Sequence, residues 1–318
     1  MDAAVWTAIA ARYRRFAVQE ARGRSPLYEA LAEGVAGDPD CLRFLASLPE
    51  AKQQPNLLLA AVRHLHGTAA GWEDFRRNLL ARPGALRAVM LARATQTNEP
   101  ARCATLLPVL ARLPQPIALI EVGASAGLCL LLDRYGYDYG RFVLPGAPVF
   151  ACAANAATPL PAAVPQVIWR AGLDLNPLDI TDPDQRAWLE TLVWPGQPGR
   201  LARLRAAMAI AAEARPRLVR GDLRADLARL AAEAPRDATL VIFHTAVLSY
   251  VASLAEREAF AADVTGFCDA WIANEAPAVF PSVAARAGEA PAGRFLLSLN
   301  GAPLAWTDPH GAAIDWVG

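Results

Sequence analysis

The sequence lacks any uninterrupted apolar run of the roughly 18–20 residues that a transmembrane helix needs. It also lacks an excess of either charge, because 31 Lys and Arg residues balance 31 Asp and Glu residues. Its start has neither the basic segment nor the continuous apolar stretch of a signal peptide. Without a basic excess, neither nucleic acid nor an anionic membrane is expected as a partner. We expect a soluble, cytoplasmic protein.

Cysteine and histidine are scarce and poorly spaced for metal binding. The five cysteines form no C-x-x-C pair, so free buried thiols in a reducing compartment are expected rather than a disulfide or metal framework. His64 and His66 are two residues apart, and on a helix such side chains point to different faces. The sequence therefore predicts no metal site.

Apolar residues are abundant, at 54% of 318 residues, which is enough for a large core. In the first part of the chain they recur at helical spacing, as in Ile9, Tyr13 and Phe16. Prolines separate these segments as breakers or as first helical residues. We predict a helical cap or lid region over residues 1–110 and an α/β domain over residues 111–318.

Residues 117–128 read Ile-Ala-Leu-Ile-Glu-Val-Gly-Ala-Ser-Ala-Gly-Leu and form the most informative segment. They predict a buried strand, a tight turn of small residues and the start of a helix, an arrangement that lets backbone N–H groups approach a ligand. Glu121, at the end of the strand, would repel a pyrophosphate but could accept hydrogen bonds from a cationic or hydroxyl-rich ligand. A buried acid is costly unless it is paired or solvated, which favours ligand binding over a plain connection.

Strands and helices alternate after this segment. A helix is predicted over 128–135, and further strands are predicted at 167–173, 217–219, 239–243 and 271–274. Single helices between successive strands imply a mostly parallel sheet. Segments 295–300 and 312–317 have no helix between them, which predicts an antiparallel hairpin at the end of the sheet. A region rich in Pro and Gly, near 136–166, is predicted to be an insertion.

This layout resembles the class I S-adenosylmethionine (SAM)-dependent methyltransferases, a Rossmann-like fold with a mostly parallel, seven-stranded sheet whose last strand is reversed. In that family an acid and three alternating glycines follow the first strand. Here Glu121, Gly123 and Gly127 match the pattern, and Ser125 replaces the middle glycine. The resemblance implies that these four residues bind SAM.

The same resemblance implies further cofactor residues. Asp174 ends the second strand, where the family's acid binds the ribose hydroxyls. Asp179 is the alternative, because the insertion lengthens the spacing from Glu121. Asp222 follows the third strand, where an acid approaches the adenine amino group. Asp174 could instead form a turn, and Asp222 could cap the next helix.

His244 follows the fourth strand, beside the position that the resemblance implies for the transferred methyl group, and Glu275 ends another strand. Either could act as a general base if the acceptor carries a proton. A lone histidine at the end of a strand is also commonly a structural residue. Both alternatives stay open for this pair.

The polar residues Gln96, Asn98 and Glu99 stand between two apolar helical segments. They predict either an interhelical loop capped by Thr97 or Asn98, or a lid segment laid over the cofactor and substrate.

A closer resemblance covers nearly the whole chain. Residues 96–100, 121–130, 170–179 and 192–195 resemble segments of an uncharacterised bacterial family with no assigned function. This resemblance supports one full-length architecture but implies no substrate.

The function expected from these patterns is SAM-dependent methylation of a small organic molecule, with the helical region as a lid. The alternative is a non-catalytic protein that binds SAM or a related nucleoside on the same scaffold. A nicotinamide-dependent oxidoreductase is disfavoured, because the G-x-G-x-x-G pattern is absent and Glu121 precedes Gly123.

Overall fold

The computed structural model describes residues 3–96 and 98–317, which form two compact units. The first unit comprises the chain before Asn98 together with Asp182–Ala202. The second comprises Asn98–Thr181 and the chain from Arg203 onward. The division therefore falls before Asn98 rather than near residue 110, and the first unit includes a segment that is distant in sequence.

Helices dominate the first unit. In chain order, the α-helices of the protein are α1 Ala3–Phe16, α2 Pro26–Gly37, α3 Pro39–Ala46, α4 Pro55–His66, α5 Trp72–Ala81, α6 Pro83–Ala92, α7 Cys103–Leu110, α8 Pro183–Leu192, α9 Pro198–Ala214, α10 Leu227–Ala231, α11 Leu254–Thr265 and α12 Pro281–Ala284. Proline occupies the first turn of α2, α3, α4, α6 and α8, where its missing N–H costs no hydrogen bond. Among the described residues, no helix is long and apolar enough to cross a membrane.

The core of the first unit is built from the apolar faces of these helices. Tyr13 of α1, Leu58 of α4 and Trp188 of α8 are among its fully buried side chains. The indole N–H of Trp188 donates to the carbonyl of Ala94 at 3.0 Å. Helix α8 is distant in sequence but completes this core, which explains why the unit takes in residues after Thr181.

The second unit contains the β-strands. These are β1 Ile117–Val122, β2 Gly136–Asp138, β3 Val143–Leu144, β4 Val149–Ala151, β5 Ala153–Ala154, β6 Val167–Asp174, β7 Arg217–Arg220, β8 Thr239–Thr245, β9 Ala270–Glu275, β10 Phe295–Leu299, β11 Ala302–Thr307 and β12 Ala313–Trp316. Strands β2, β3 and β4 form a separate small sheet within the predicted insertion.

The main sheet has nine strands in the order β5-β12-β11-β10-β9-β8-β1-β6-β7. Strands β7, β6, β1, β8 and β9 run parallel to one another. Strand β10 pairs antiparallel with β9 and with β11, β11 pairs antiparallel with β12, and β5 pairs parallel with β12. The chain runs from β1 outward to β6 and β7, and then crosses to β8 on the other side of β1. The strand order therefore reverses between β1 and β8, and ligands bind at such reversals in open α/β sheets.

The structure corrects the predicted number of strands and the closing hairpin. The expected seven strands are nine, because β5 pairs with β12 and an extra strand, β11, lies between the two segments predicted to pair. Strand β11 contains Pro303, which faces Ser298 next to a shift in the β10–β11 register. Proline is tolerated in sheets at such irregularities, but it obscures the strand in the sequence.

The segment after the small-residue turn also differs from the prediction. An α-helix was expected over 128–135, but Cys129–Arg134 is a 3₁₀-helix with non-helical dihedral angles at Leu131. The hydroxyl of Tyr135 donates to the carbonyl of Leu128 at 2.8 Å, and β2 begins at the next residue. The turn is therefore not followed by the N-terminus of a regular α-helix.

Candidate functional site

Polar side chains gather at the carboxyl ends of the parallel strands. Glu121 lies at the end of β1, Asp174 at the end of β6, His244 near the end of β8, and Asn274 and Glu275 at the end of β9. Because β1 and β8 flank the reversal of strand order, this edge is the position that the topology favours for a ligand.

Glu121 is the least satisfied of these side chains. The residue is only 5% exposed, and its Oε2 atom is buried without a hydrogen-bond partner. Burial raises the pKa of this carboxyl well above its usual value, and nearby Cys129 and Asp174 act in the same direction. The Arg102 guanidinium opposes them. Native proteins rarely leave a buried carboxylate oxygen unpaired, so Glu121 has an unused capacity to bind a hydrogen-bond donor.

The turn after β1 has the backbone conformation that its glycines allow. Gly123 and Gly127 have φ angles of +72° and +69°, and an added Cβ on Gly123 would lie 2.4 Å from Cγ2 of Val247. Of the four described non-glycine residues with a left-handed backbone, two lie near this turn: Ser125 at +49° and, after β8, Ala246 at +57°. Strained residues of this kind cluster at ligand sites, and these two lie on either side of the strand-order reversal.

Each backbone N–H of this turn already has a partner within the protein. The N–H groups of Gly123 and Ala124 donate to the carbonyl of Leu173, and that of Gly127 donates to the carbonyl of Ala124. Two donors bind side chains instead. The N–H of Ser125 donates to Asp174 at 2.8 Å, and that of Ala126 donates to Asn98 at 3.1 Å.

Asn98 spans two adjacent groups of the turn. Its Oδ1 accepts from Ala126, while its Nδ2 donates to the Ser125 hydroxyl at 2.8 Å. Glu99 caps the short 3₁₀ turn Pro100–Arg102 by accepting from the N–H of Ala101. Of the predicted lid residues, Asn98 and Glu99 therefore belong to the second unit, whereas Gln96 belongs to the first. Thr97 lies outside the described residues.

The three aspartates predicted as cofactor residues all accept hydrogen bonds from other groups of the protein. Asp174 accepts from the backbone N–H groups of Ser125 and, at 2.7 Å, of Asn176. Asp179 accepts from the N–H and hydroxyl of Thr181 at 2.8 and 2.7 Å. Asp222 forms an ion pair with Arg224, and the hydrogen bonds that its carboxyl accepts from Arg224 lower its pKa. Asp174 alone touches the small-residue turn.

His244 and Glu275 contact each other in the interior. The Nδ1 atom of His244 lies 2.7 Å from Oε1 of Glu275, and the indole N–H of Trp271 donates to Nε2 at 3.0 Å. Because indole can only donate, Nε2 carries no proton and the ring proton is on Nδ1. Both nitrogens of this fully buried ring are occupied, which favours a structural role for His244.

Glu275 keeps one oxygen without a partner. Its Oε1 also accepts from the N–H groups of Val247 and Leu248, at 2.8 and 3.1 Å, whereas its Oε2 is buried and unpaired. Glu275 thus fixes the turn after β8 with one oxygen. Of the two predicted bases, it is the one with an oxygen left to accept a proton.

The sequence predicts neither of two further contacts between polar residues. Buried Arg102 donates to the carbonyls of Pro309 and Thr245, at 2.7 and 3.2 Å, and so ties the chain before α7 to β8 and to the loop after β11. Asn274 accepts from the hydroxyl of Thr307 at 2.7 Å. These partners are far apart in sequence, and no local pattern marks them.

Possible metal ligands do not cluster within the described part of the chain, and the thiols near Glu121 are buried. Among residues 3–96 and 98–317, no group of three His, Cys, Asp or Glu side chains could hold a metal ion. The five cysteines are free. Cys103, the first residue of α7, and Cys129, which lies near Glu121, are both buried. Hydrogen bonding with Cys103 and burial raise the pKa of the Cys129 thiol.

The fold and the site define an α/β protein with a polar, incompletely satisfied edge at the reversal of strand order. Over residues 10–316 the chain matches the family described as "Uncharacterized protein conserved in bacteria (DUF2332)", and it belongs to that family. No curated protein matches the chain, and no solved structure matches it.

Proposed function

We propose that the protein binds SAM at the carboxyl edge of β1 and β8 and transfers its methyl group to a small organic molecule. The observation that carries the proposal is the buried, unpaired Oε2 of Glu121 at the point where the strand order reverses. A ligand that donates an N–H or O–H group to this oxygen would remove the cost of leaving it unpaired.

The residues of this edge fit SAM in hydrogen bonding. SAM supplies an activated methyl group on a sulfonium, together with an amino group and ribose hydroxyls that can donate. Glu121 and Asp174 offer carboxyl oxygens as hydrogen-bond acceptors. Binding through the N–H groups of Ser125 and Ala126 requires that Asp174 and Asn98 release them.

The protein itself has little covalent chemistry to perform in this reaction. Its residues orient the two reactants and keep water from the edge, and both effects lower the barrier to methyl transfer. If the acceptor carries a proton, Oε2 of Glu275 is the group we assign to receive it. His244 then serves as a positioning residue, because it contacts Oε1 of the same carboxylate.

A second candidate, a non-catalytic protein that binds SAM or a related nucleoside, is favoured by one observation. Both ring nitrogens of His244 are engaged, so one of the two residues predicted as a possible base has no free nitrogen. A binding protein needs the acceptors at the edge and no base at all.

Calorimetric titration with SAM and with S-adenosylhomocysteine tests binding. We expect binding of both, with an affinity reduced by about 1–3 kcal/mol in Asp174→Ala, the size of a lost charged hydrogen bond. Asp179→Ala is the matched control and should leave the affinity unchanged. An absence of heat with both ligands would overturn the proposal, and a loss confined to Asp179→Ala would move the ribose contact to that residue.

Turnover distinguishes the two candidates. Incubation of the protein with SAM and a bacterial metabolite extract should release S-adenosylhomocysteine faster than the extract alone. Glu275→Gln should keep SAM binding and lose this release. Binding without any release of the demethylated product would favour the non-catalytic candidate.

A further inference from the structure

A separate cavity lies beside the edge strand of the main sheet, in the second unit. It has a volume of about 420 Å³ and is bounded by β7, the end of α9 and the loop 177–181. Cavities that hold small organic molecules begin at about 300 Å³. The residues proposed to bind SAM do not line it, apart from Ala126 of the same turn and Asp179, the alternative ribose-binding acid. The inference below uses neither as a ligand contact and is therefore independent of the proposed function.

The floor of this cavity is apolar. Leu178 and Ile180 are each 6% exposed, and Leu218 of β7 lies beside them, half-buried. An apolar ligand body placed against these side chains would release water from both surfaces. The floor therefore selects for a hydrocarbon or aromatic group.

One cation stands among the lining residues. Arg215 is exposed, and within the part of the chain that the structure describes its guanidinium makes no hydrogen bond or ion pair. Asp179 also lines the cavity, and its Oδ1 accepts from the N–H and hydroxyl of Thr181. A guanidinium presents a planar set of donors that matches a carboxylate.

Arg215 has a left-handed backbone conformation, which is strained for any residue with a side chain. The residue follows the last residue of α9, its N–H donates to the carbonyl of Ala211 at 2.8 Å, and its φ is +47°. Glycine is the usual residue at this left-handed position after a helix, because any Cβ is strained there. Glycine would serve the helix better than arginine does.

From the cavity, its apolar floor and this strained arginine we infer a second binding site, which takes a small organic carboxylate. The apolar body of the ligand lies against Leu178, Ile180 and Leu218, and its carboxylate pairs with the guanidinium of Arg215. An uncharged isostere of the same ligand loses this pairing and keeps only the apolar contacts.

The test uses 4-fluorobenzoate and its neutral counterpart 4-fluorobenzamide, followed by ¹⁹F NMR titration of the full chain. We expect fluorobenzoate to bind at least about fivefold more tightly than fluorobenzamide, the ratio expected for a partly exposed charge pair. Equal affinities, or no binding of fluorobenzoate, would overturn the inference.

Arg215→Gly separates ligand binding from folding. It should weaken fluorobenzoate binding by about fivefold or more, while its melting temperature stays the same or rises because glycine fits the left-handed position. Arg215→Lys, which keeps the charge, should retain part of the affinity. Arg236→Gly, at an exposed arginine outside the cavity, is the matched control. Unchanged affinity in Arg215→Gly would contradict the assignment of the carboxylate partner.

Discussion

The indole N–H of Trp271 donates to Nε2 of His244 across 3.0 Å, and this contact determines the tautomer of a fully buried histidine. With Nε2 as the acceptor, the ring proton is on Nδ1 and points to Glu275. The chain Trp271–His244–Glu275 joins β8 to β9 at the edge where the ligand is proposed to bind. It holds in place the carboxylate that we assign as the proton acceptor.

Trp271→Phe should test the role of this contact. The ring of His244 would keep most of its packing but lose the donor to a buried nitrogen, which should lower the free energy of unfolding by about 1–3 kcal/mol. Urea denaturation measures the loss. Nitrogen NMR of the wild-type protein should show the Nδ1–H tautomer for His244. A proton on Nε2 would contradict the assignment.

Glu121→Gln should change how stability depends on pH. The folded state raises the pKa of this carboxyl well above its usual value of 4.5, so ionisation opposes folding. Below the pKa that Glu121 has in the unfolded state, its protonated form contributes fully to the free energy of unfolding. This contribution is lost as the pH rises towards the pKa that Glu121 has in the folded state. The wild type should therefore lose stability relative to Glu121→Gln as pH rises above 4.5, by up to about 1.4 kcal/mol per pH unit.

The control for this pH series is Glu233→Gln. Glu233 has a lowered pKa because of its hydrogen bond and ion pair with Arg217, so the sign of its contribution is opposite. Its stabilising effect is present at neutral pH and is lost as pH falls through the folded pKa. Parallel pH profiles for the two variants would contradict the conclusion that burial raises the pKa of Glu121.

Gly123→Ala should destabilise the protein for two separable reasons. The φ of +72° costs any L-residue about 1–2 kcal/mol, and the new Cβ meets Val247 at 2.4 Å. A total loss of about 2–4 kcal/mol is expected, as the overpacking adds to the backbone strain. The double variant Gly123→Ala/Val247→Ala should recover the steric part only. If the changes in the free energy of unfolding of the two single variants simply add up in the double variant, the two residues are not in contact.

Asn98 offers a matched pair of variants at the turn. Asn98→Leu leaves the N–H of Ala126 without its partner and should cost about 1–3 kcal/mol. Asn98→Asp can accept from the same N–H and from the hydroxyl of Ser125, so it should cost much less. Both values come from chemical denaturation. Equal losses would mean that the bonds to the turn do not stabilise it.

The parts of the fold that the sequence predicts are those with a local signal. Strand β1 and the small-residue turn were correctly placed, because an apolar run, an acid and glycines occur in direct succession. Strand β11 was missed, because Pro303 interrupts its pattern and its pairing depends on a register shift against β10. The α-helix expected after Gly127 is a 3₁₀-helix, because the chain turns into β2 within a few residues.

Only those residues of the candidate site that lie at the end of a strand could be predicted from the sequence. Glu121, Asp174 and Glu275 end strands and could be selected from the pattern, but their hydrogen-bond partners could not. Arg102 and Thr245 are 143 residues apart, and a contact of that kind is decided by packing of the whole sheet. The buried position of His244 between Glu275 and Trp271 also could not be predicted, because no local sequence pattern relates His244 to Trp271.

The most direct test of the account is a crystal structure of the protein with S-adenosylhomocysteine. The account predicts that the nucleoside lies at the carboxyl edge between β1 and β8, with an amino group or hydroxyl within hydrogen-bond distance of Oε2 of Glu121. A nucleoside bound elsewhere, with Oε2 of Glu121 still unpaired, would contradict it.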